Sequence, residues 1–354
     1  MTEPPTFGRA SQPTAAAASA GPRLPRRALP GLAVAAPAAA LGPALAPRGA
    51  SAADPPWPTR PITMVIAYPP GAITDTVGRR VGDRLGAALG VPVVIDNRGG
   101  AGGNLAASLV SRAQPDGQTL LFTSYGNLLI AAAADLRLDF HPQRDLTPIA
   151  LIGPMTVVLL VRPDLPYRTI GEFVAYARAN PGKVNFASVG VGSSYHLLIE
   201  QMMALGKLDM LHVPYRGGAA AMADFLAGRV DAMLATLLFA RPYINDNRAR
   251  AIAVANAERS PVLSDLPTVS EQGVPGARLV DGLGVMGPAR LPAHVVRRVN
   301  AAVQDILREP EMHAWLTREG VVPRPAPPEA FVDLLREEAE PLRRLIRENN
   351  IQLQ

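Results

Sequence analysis

The sequence predicts an α/β protein whose sheets are mostly parallel and covered by helices. From residue 60 onward, short apolar runs rich in Val, Ile and Leu alternate with helical stretches of roughly 10–15 residues. Several of these runs are apolar throughout instead of alternating with polar residues, as strands buried on both faces are. Glycine- and serine-rich turns stand where a run ends and the next helix begins, the place where open α/β sheets bind ligands.

The elements follow in order. Residues 62–67 form an apolar strand and 76–89 a helix, with Val77, Val81, Leu85 and Leu89 making one buried stripe and Gly90 a C-terminal stop. A strand at 92–96, a glycine-rich segment at 99–103, a helix at 104–113, a turn at Pro115-Asp116-Gly117 and a strand at 119–123 follow. A second series starts with the strand 156–161. Thr169 and Glu172 have the spacing of a capping box, opening a helix that runs to Asn180 before Pro181-Gly182. Strands are then expected at 184–189, 209–213, 230–235 and 250–255, with helices at 196–205 and 219–227 between them. A strand at 279–286 and helices at 293–308, 311–319 and 328–349 close the chain.

Two strand-to-helix turns stand out. Gly190, Gly192, Ser193 and Ser194 lie between a strand and a helix, as do Tyr68, Gly71, Ala72, Thr74 and Asp75. Helix starts leave backbone N–H groups unpaired and carry the positive end of the helix dipole, so both turns favour a small anion. Thr74 and Asp75 also suit a helix cap.

The 354 residues suffice for two domains, and a 48% hydrophobic content with mean hydropathy +0.12 supplies a sizeable core. Five arginines and one acid in residues 1–52 account for +4 of the net charge of +5. The near-neutral remainder argues against nucleic acid as a partner. Arg23, Arg26 and Arg27 precede a mildly apolar stretch at 28–46, and Ala50-Ser51-Ala52 gives a small-x-small cleavage pattern. Residues 1–52 therefore read as a secretory signal, with Arg26-Arg27 resembling the twin-arginine type. Prolines make 28–46 a poor membrane span. The chain has no cysteine, which excludes disulfides, thiolate metal sites, a cysteine nucleophile and a lipid-anchoring cysteine. A soluble periplasmic protein is expected.

Together, several short motifs resemble the extracytoplasmic solute receptors of tripartite tricarboxylate transporters, the Bug/TctC family. They are Tyr68-Pro-Pro-Gly71-x-x-Thr74-Asp75, Asp96-Asn97-Arg98 with Gly99-x-Ala101-Gly102-Gly103-Asn104, and Pro115-Asp116-Gly117. Phe186-Ala-Ser188-x-Gly190-x-Gly192-Ser193-x-x-His196-Leu197, His212-Val-Pro-Tyr215-Arg216-Gly217 and Arg259-Ser-Pro261 through Pro267-Thr268-Val269 complete the set. The resemblance implies a two-lobed type II periplasmic binding protein that closes over a small carboxylate for a membrane transporter. It puts 53–158 with 276–354 in one lobe and 159–275 in the other. It implies no cofactor, no metal and no enzymatic activity, with transient binding to membrane transporter subunits by a monomer. The ligand-binding set it implies adds Ser124, Tyr125, Asn127, Ser188, His196, Tyr215 and Thr236 to the two turns. Two departures stand out: Ala72 replaces a second glycine, and Thr236 stands where the family often has aspartate, which disfavours ligands carrying an ammonium group.

Other readings compete with these. Gly100-Ala-Gly102 lacks the third glycine of a dinucleotide loop, since Leu105 stands there, and Gly190-Val-Gly192 ends likewise on Tyr195. Five histidines without a His-x-x-x-His or His-Glu-x-x-His pattern argue against zinc. Ser193 or Ser194 with His196 would suit a secreted hydrolase, but Gly-x-Ser-x-Gly is missing. A sensor role feeding a two-component system is the other alternative. His212 is expected to be a strand residue with a satisfied hydrogen bond, and His196 a first-turn residue whose ring donates to a neighbouring loop. Arg216 is either a carboxylate clamp or a surface residue.

Overall fold

The computed structural model describes residues 56–134 and 136–353, so the expected signal at 1–52 lies outside the described residues. The first half of the chain runs β1 (Ile62–Ile66), α1 (Ile73–Leu89), β2 (Val93–Asn97), α2 (Asn104–Ser111), β3 (Thr119–Ser124), α3 (Tyr125–Ala133), α4 (Pro142–Asp145) and β4 (Leu146–Pro154). Next come β5 (Val157–Val161), α5 (Ile170–Ala179), β6 (Asn185–Ser188), α6 (Ser194–Gly206), β7 (Leu211–Pro214), α7 (Gly218–Leu226) and β8 (Ala232–Thr236). The rest is α8 (Leu237–Asn245), β9 (Arg250–Val254), α9 (Val269–Gln272), β10 (Gly282–Pro288), α10 (Ala293–Arg308), α11 (Pro310–Arg318) and α12 (Pro328–Glu348).

Two five-stranded sheets result, ordered β2-β1-β3-β10-β4 and β7-β6-β8-β5-β9. In the first, β1 is parallel to β2 and β3, and only β10 runs against its neighbours β3 and β4. In the second, β6 is parallel to β7 and β8, and only β5 runs against its neighbours β8 and β9. Each reversed strand adjoins a chain crossing. The chain passes from first sheet to second at Met155–Thr156, just before β5, and returns at Val280–Asp281, just before β10.

The expected lobe limits shift accordingly. A boundary after residue 158 would cut β5, all of which belongs to the second sheet. Ala277 and Leu279 pack in the second core, beyond the expected limit at 275. The apolar run through 156–161 carries no turn residue that would mark the change of sheet.

The core of the first lobe is organised by α1 and α10. The α1 stripe Val77, Val81, Leu85 and Leu89 is buried beside Val295, Val299 and Val303 of α10, against Met64 and Phe122 of the sheet. Helix α12 covers the opposite face. Its Phe331 has no exposed surface and packs edge-on to Tyr125, with ring centroids 5.6 Å apart. A Cβ on Gly284 would come within 2.5 Å of the Phe331 ring, so the strand must be bare there for the helix to seat. The second core gathers Phe173, Phe186, Met202 and Leu234 around β5, β6 and β8.

The capping box at Thr169 and Glu172 forms, and Gly90 ends α1 at φ 74° with its N–H bonded to the carbonyl of Gly86. Helix α1 begins three residues earlier than expected, with Ala72 at the N-cap and no side-chain cap. Thr74 and Asp75 therefore sit inside the first turn and do not cap it. Five elements are not anticipated by pattern, among them the four-residue helices α4 and α9. Helix α3 is buried on all sides and shows no amphipathic period, β4 carries Pro148 and Pro154, and α8 carries Pro242.

Replacing Phe331 by alanine removes a fully buried ring from between α12 and the first sheet. Urea unfolding should show a loss of about 3–5 kcal/mol, the usual cost of such a cavity. A loss below about 1 kcal/mol would mean that α12 is not seated as described.

Candidate functional site

Parallel strands β1, β3 and β6 each end in a turn that opens a helix, namely α1, α3 and α6. Each helix start leaves backbone donors to be satisfied. The three are satisfied in different ways, and the differences define the site.

At α3 the acceptor comes from far along the chain. Asp281, on the return crossing, is 4% exposed. Its Oδ1 accepts the Gly126 amide at 3.1 Å across 155 residues, the Ser124 hydroxyl at 2.5 Å and the Gly282 amide at 2.8 Å. Its Oδ2 accepts the Ser194 hydroxyl of α6 at 3.0 Å. Asp281 thus lies between the N-termini of α3 and α6 and joins the two lobes. Glycine is required at both flanking positions. A Cβ on Gly126 would lie 2.6 Å from the Asp281 carboxyl carbon, and one on Gly282 would lie 2.5 Å from the Tyr125 hydroxyl. Burial raises the Asp281 carboxyl above its usual range, outweighing the four bonds that favour the charge. Burial, with the Asp281 charge second, also pushes the hydroxyls of Tyr68, Tyr125 and Tyr195 upward.

Asn127 makes a second bridge. Its Oδ1 accepts the Ser194 amide at 2.9 Å, and its Nδ2 donates to the Tyr68 hydroxyl at 2.9 Å and the Gly102 carbonyl at 2.8 Å. The Tyr68 hydroxyl donates in turn to that carbonyl. Apolar packing reinforces the bridge: Ile130 and Ala133 of α3 meet Leu197 of α6 together with Ile346, Ile351 and Leu353.

The turn into α6 largely satisfies itself. Ser193 caps the helix through the His196 amide and donates to the Gly190 carbonyl at 2.6 Å. The Gly192 amide donates to His196 Nδ1 at 3.1 Å, and the Gly190 amide to Ser188 Oγ at 3.2 Å. His196 therefore accepts from the loop where donation was expected. Its proton lies on Nε2, 3.3 Å from Glu200 Oε1. The ring stacks on His212 at 4.0 Å, and His212 Nε2 lies 2.6 Å from Ser188 Oγ, the satisfied strand histidine that was expected.

This arrangement bears on two alternatives. His196, Glu200 and His212 bring one ligand atom each within 4.8 Å, a possible metal trio. A metal on His196 Nε2 would force the ring proton onto Nδ1, against the Gly192 N–H. Two nearly parallel rings also aim their lone pairs side by side instead of at a common point. The donor set does not fit a metal. For a hydrolase, neither Ser193 nor Ser194 meets an imidazole with its hydroxyl. Ser188 does, but it is 1% exposed, and burial lowers His212 to about 4, with His196 adding to the shift. That is too weak a base for hydrolysis near neutrality.

The first turn is held differently. Asp75 accepts the Gly71 amide at 2.9 Å, Asn97 at 2.8 Å and Arg79 at 2.9 Å, so its carboxylate closes the loop. The first-turn amides of Ile73 and Thr74 have no side-chain cap. Of the remaining expected residues, Tyr215 donates its hydroxyl to Asp224, and Thr236 is the N-cap of α8 without a cap bond. Neither joins the Ser124–Asp281–Ser194 group. Arg216 is exposed. Asp281 is a further buried acid where the lobes meet, one that the reading of Thr236 did not include. Its only local signal was an acid just before Gly282-Leu-Gly284, within a segment expected as strand.

Comparison with known proteins follows this geometry. Residues 77–351 match the family described as "Tripartite tricarboxylate transporter family receptor". The protein in the tcbD-tcbE intergenic region of Pseudomonas sp. (strain P51) is 36% identical over 82% of this chain and 86% of its own length. MatC from Rhodopseudomonas palustris, solved with bound malate, superposes with a TM-score of 0.73 at 34% identity, covering 82% of this chain and all of that one. A second R. palustris protein, solved with adipate, gives 0.76 at 30% identity over 83% of this chain and 99% of its own.

The stacked histidine pair generates a pH prediction. With His212 lowered from 6.5 to about 4 in the folded chain, the unfolded state binds more protons between those values. Stability present above about pH 6.5 should fall by roughly 1–3 kcal/mol as the pH drops through about 4. His212→Gln should flatten that slope in urea titrations across the window. An unchanged slope would place the proton uptake elsewhere.

Proposed function

Because the chain belongs to the tripartite tricarboxylate transporter receptor family, we propose that it captures a small carboxylate outside the cytoplasm and presents it to a membrane transporter. It acts as a binding protein and not as an enzyme. The observation that carries this reading is the open start of α1. The amides of Ile73 and Thr74 stand at the carboxyl end of β1 with the buried Thr74 residue, and the strand beside it leads into the Asp281 bridge. Orphan donors at a helix start bind carboxylates through hydrogen bonds and the helix dipole. The relatives solved with malate and adipate support the same ligand class.

The ligand set we propose centres on Tyr68, Gly71, Ala72 and Thr74, with Ser124, Asn127 and Ser194 forming the bridge between the lobes beside it. Asp75, Ser188, Ser193 and His196 shape the turns. Docking to the transporter is transient and made by a monomer. Residues 1–52 direct export to the periplasm and are removed. No helix among the described residues is long and apolar enough to cross a membrane.

Two measurements test this. A thermal-shift screen against mono-, di- and hydroxycarboxylates should find a ligand that raises Tm. Saturation at about 100 times Kd corresponds to about 2.7 kcal/mol of added stability. If no carboxylate moves Tm and calorimetry shows no heat, the reading fails. Intact mass of the periplasmic protein should correspond to a chain starting near Ala53, whereas a cytosolic product starting at Met1 would refute export.

A further inference from the structure

We propose that Asp281 is a specificity-determining residue: by filling the anion position between the N-termini of α3 and α6, it restricts the cleft to ligands that bring a single carboxylate. The inference rests on the carboxylate-receptor reading above and narrows it.

A carboxylate held by the amide of one helix start and a hydroxyl from another is what an anion-binding cleft offers its ligand. Here the chain's own side chain takes that offer. The Gly126 amide, the Ser124 hydroxyl and the Ser194 hydroxyl all point to Asp281, and the Ser194 amide is given to Asn127. None of these donors remains for a ligand. The open start of α1 is a separate receptor at the same edge of the first sheet, since β1 and β3 are adjacent parallel strands. The turn before α1 reaches the Asp281 group through Tyr68, whose hydroxyl accepts from Asn127, which in turn accepts the Ser194 amide, so a ligand carboxylate at α1 has its far end beside that group.

What that far end meets is a negative or polar centre. All four donors to Asp281 are uncharged, so no cation within that group cancels its charge. A second ligand carboxylate there would face a like charge in a desolvated site, the situation that keeps two carboxylates from both ionising. A hydroxyl, a methyl or an amide meets no such repulsion. The malate- and adipate-bound relatives make dicarboxylates the discriminating probes.

The test is calorimetric titration of the purified protein at pH 7.5 with two matched pairs, 3-hydroxybutyrate against malate and hexanoate against adipate. The wild-type protein should bind the monocarboxylate of at least one pair about tenfold or more tightly than its dicarboxylate. Asp281→Ser keeps a hydroxyl in the group and removes the charge, and should shift that ratio about tenfold or more toward the dicarboxylate. Asp281→Asn, nearly isosteric, provides the same comparison if the serine variant does not fold. Tighter binding of the dicarboxylate by the wild-type protein would overturn the role of Asp281 while leaving the carboxylate-receptor reading intact. An unchanged ratio in a folded, binding-competent variant would do the same. Absence of binding by every carboxylate tried, in wild type and variants alike, would overturn both.

Discussion

The rest of the molecule is arranged around one buried carboxylate. Asp281 cannot be tolerated at that depth without donors, and it collects four of them from three segments of the chain. Those donors fix where α3 starts, where α6 starts and where the chain returns to the first sheet. Burial still outweighs the bonds and raises the carboxyl above its usual range. The charge is therefore held at a cost, and a cost of that kind at a crossing between lobes marks a functional constraint more readily than a stabilising one. Gly126 and Gly282 belong to the same constraint, since a side chain at either would displace the group.

The two sides of the cleft consequently differ in character. On the second lobe, the turn from Ser188 to His196 spends its amides and hydroxyls on itself, through Ser193, His196 and Ser188. The stacked His196 and His212 support that turn from beneath. On the first lobe, Asp75 secures the Gly71 loop with Asn97 and Arg79 and leaves the start of α1 open. The start of α6 is satisfied from within its own turn, the start of α1 has no side-chain cap, and Asn127 and Asp281 join α3 to α6.

Much of this was legible in the residues. Unbroken apolar runs such as Val157–Val161 gave the buried strands, and the i+4 stripe of α1 gave its buried face. Glycine and serine after β6 marked the turn into α6. What stayed hidden was non-local. Helix α3 has no polar face to reveal its period, because it is enclosed on every side. Strand β4 carries Pro148 and Pro154, residues uncommon inside a paired strand, and so shows no strand pattern although it pairs with β10. Asp281 carries no motif: its importance comes from partners as far as 157 residues away, and spacing along a sequence does not express that. The reading of Thr236 missed it for the same reason. It weighed acids that lie in recognisable turns, while the fold brings Asp281 in from the approach to another strand.

The late return of the single reversed strand β10 to the first sheet governs the order of assembly. Strand β4 has no neighbour in its sheet except β10, and β10 also separates it from β3. Through some 130 residues between the end of β4 and the start of β10, the first lobe remains a three-stranded fragment with an unfilled edge at β3. The second sheet draws all five strands from one continuous stretch, β5 to β9. The later-made lobe can thus complete its sheet while the earlier-made one is still waiting. The closure entropy of the long loop between β4 and β10 falls almost wholly on the first lobe. The residue that carries the chain into β10 is Asp281, so the last strand to be inserted delivers the side chain that ties the two lobes together.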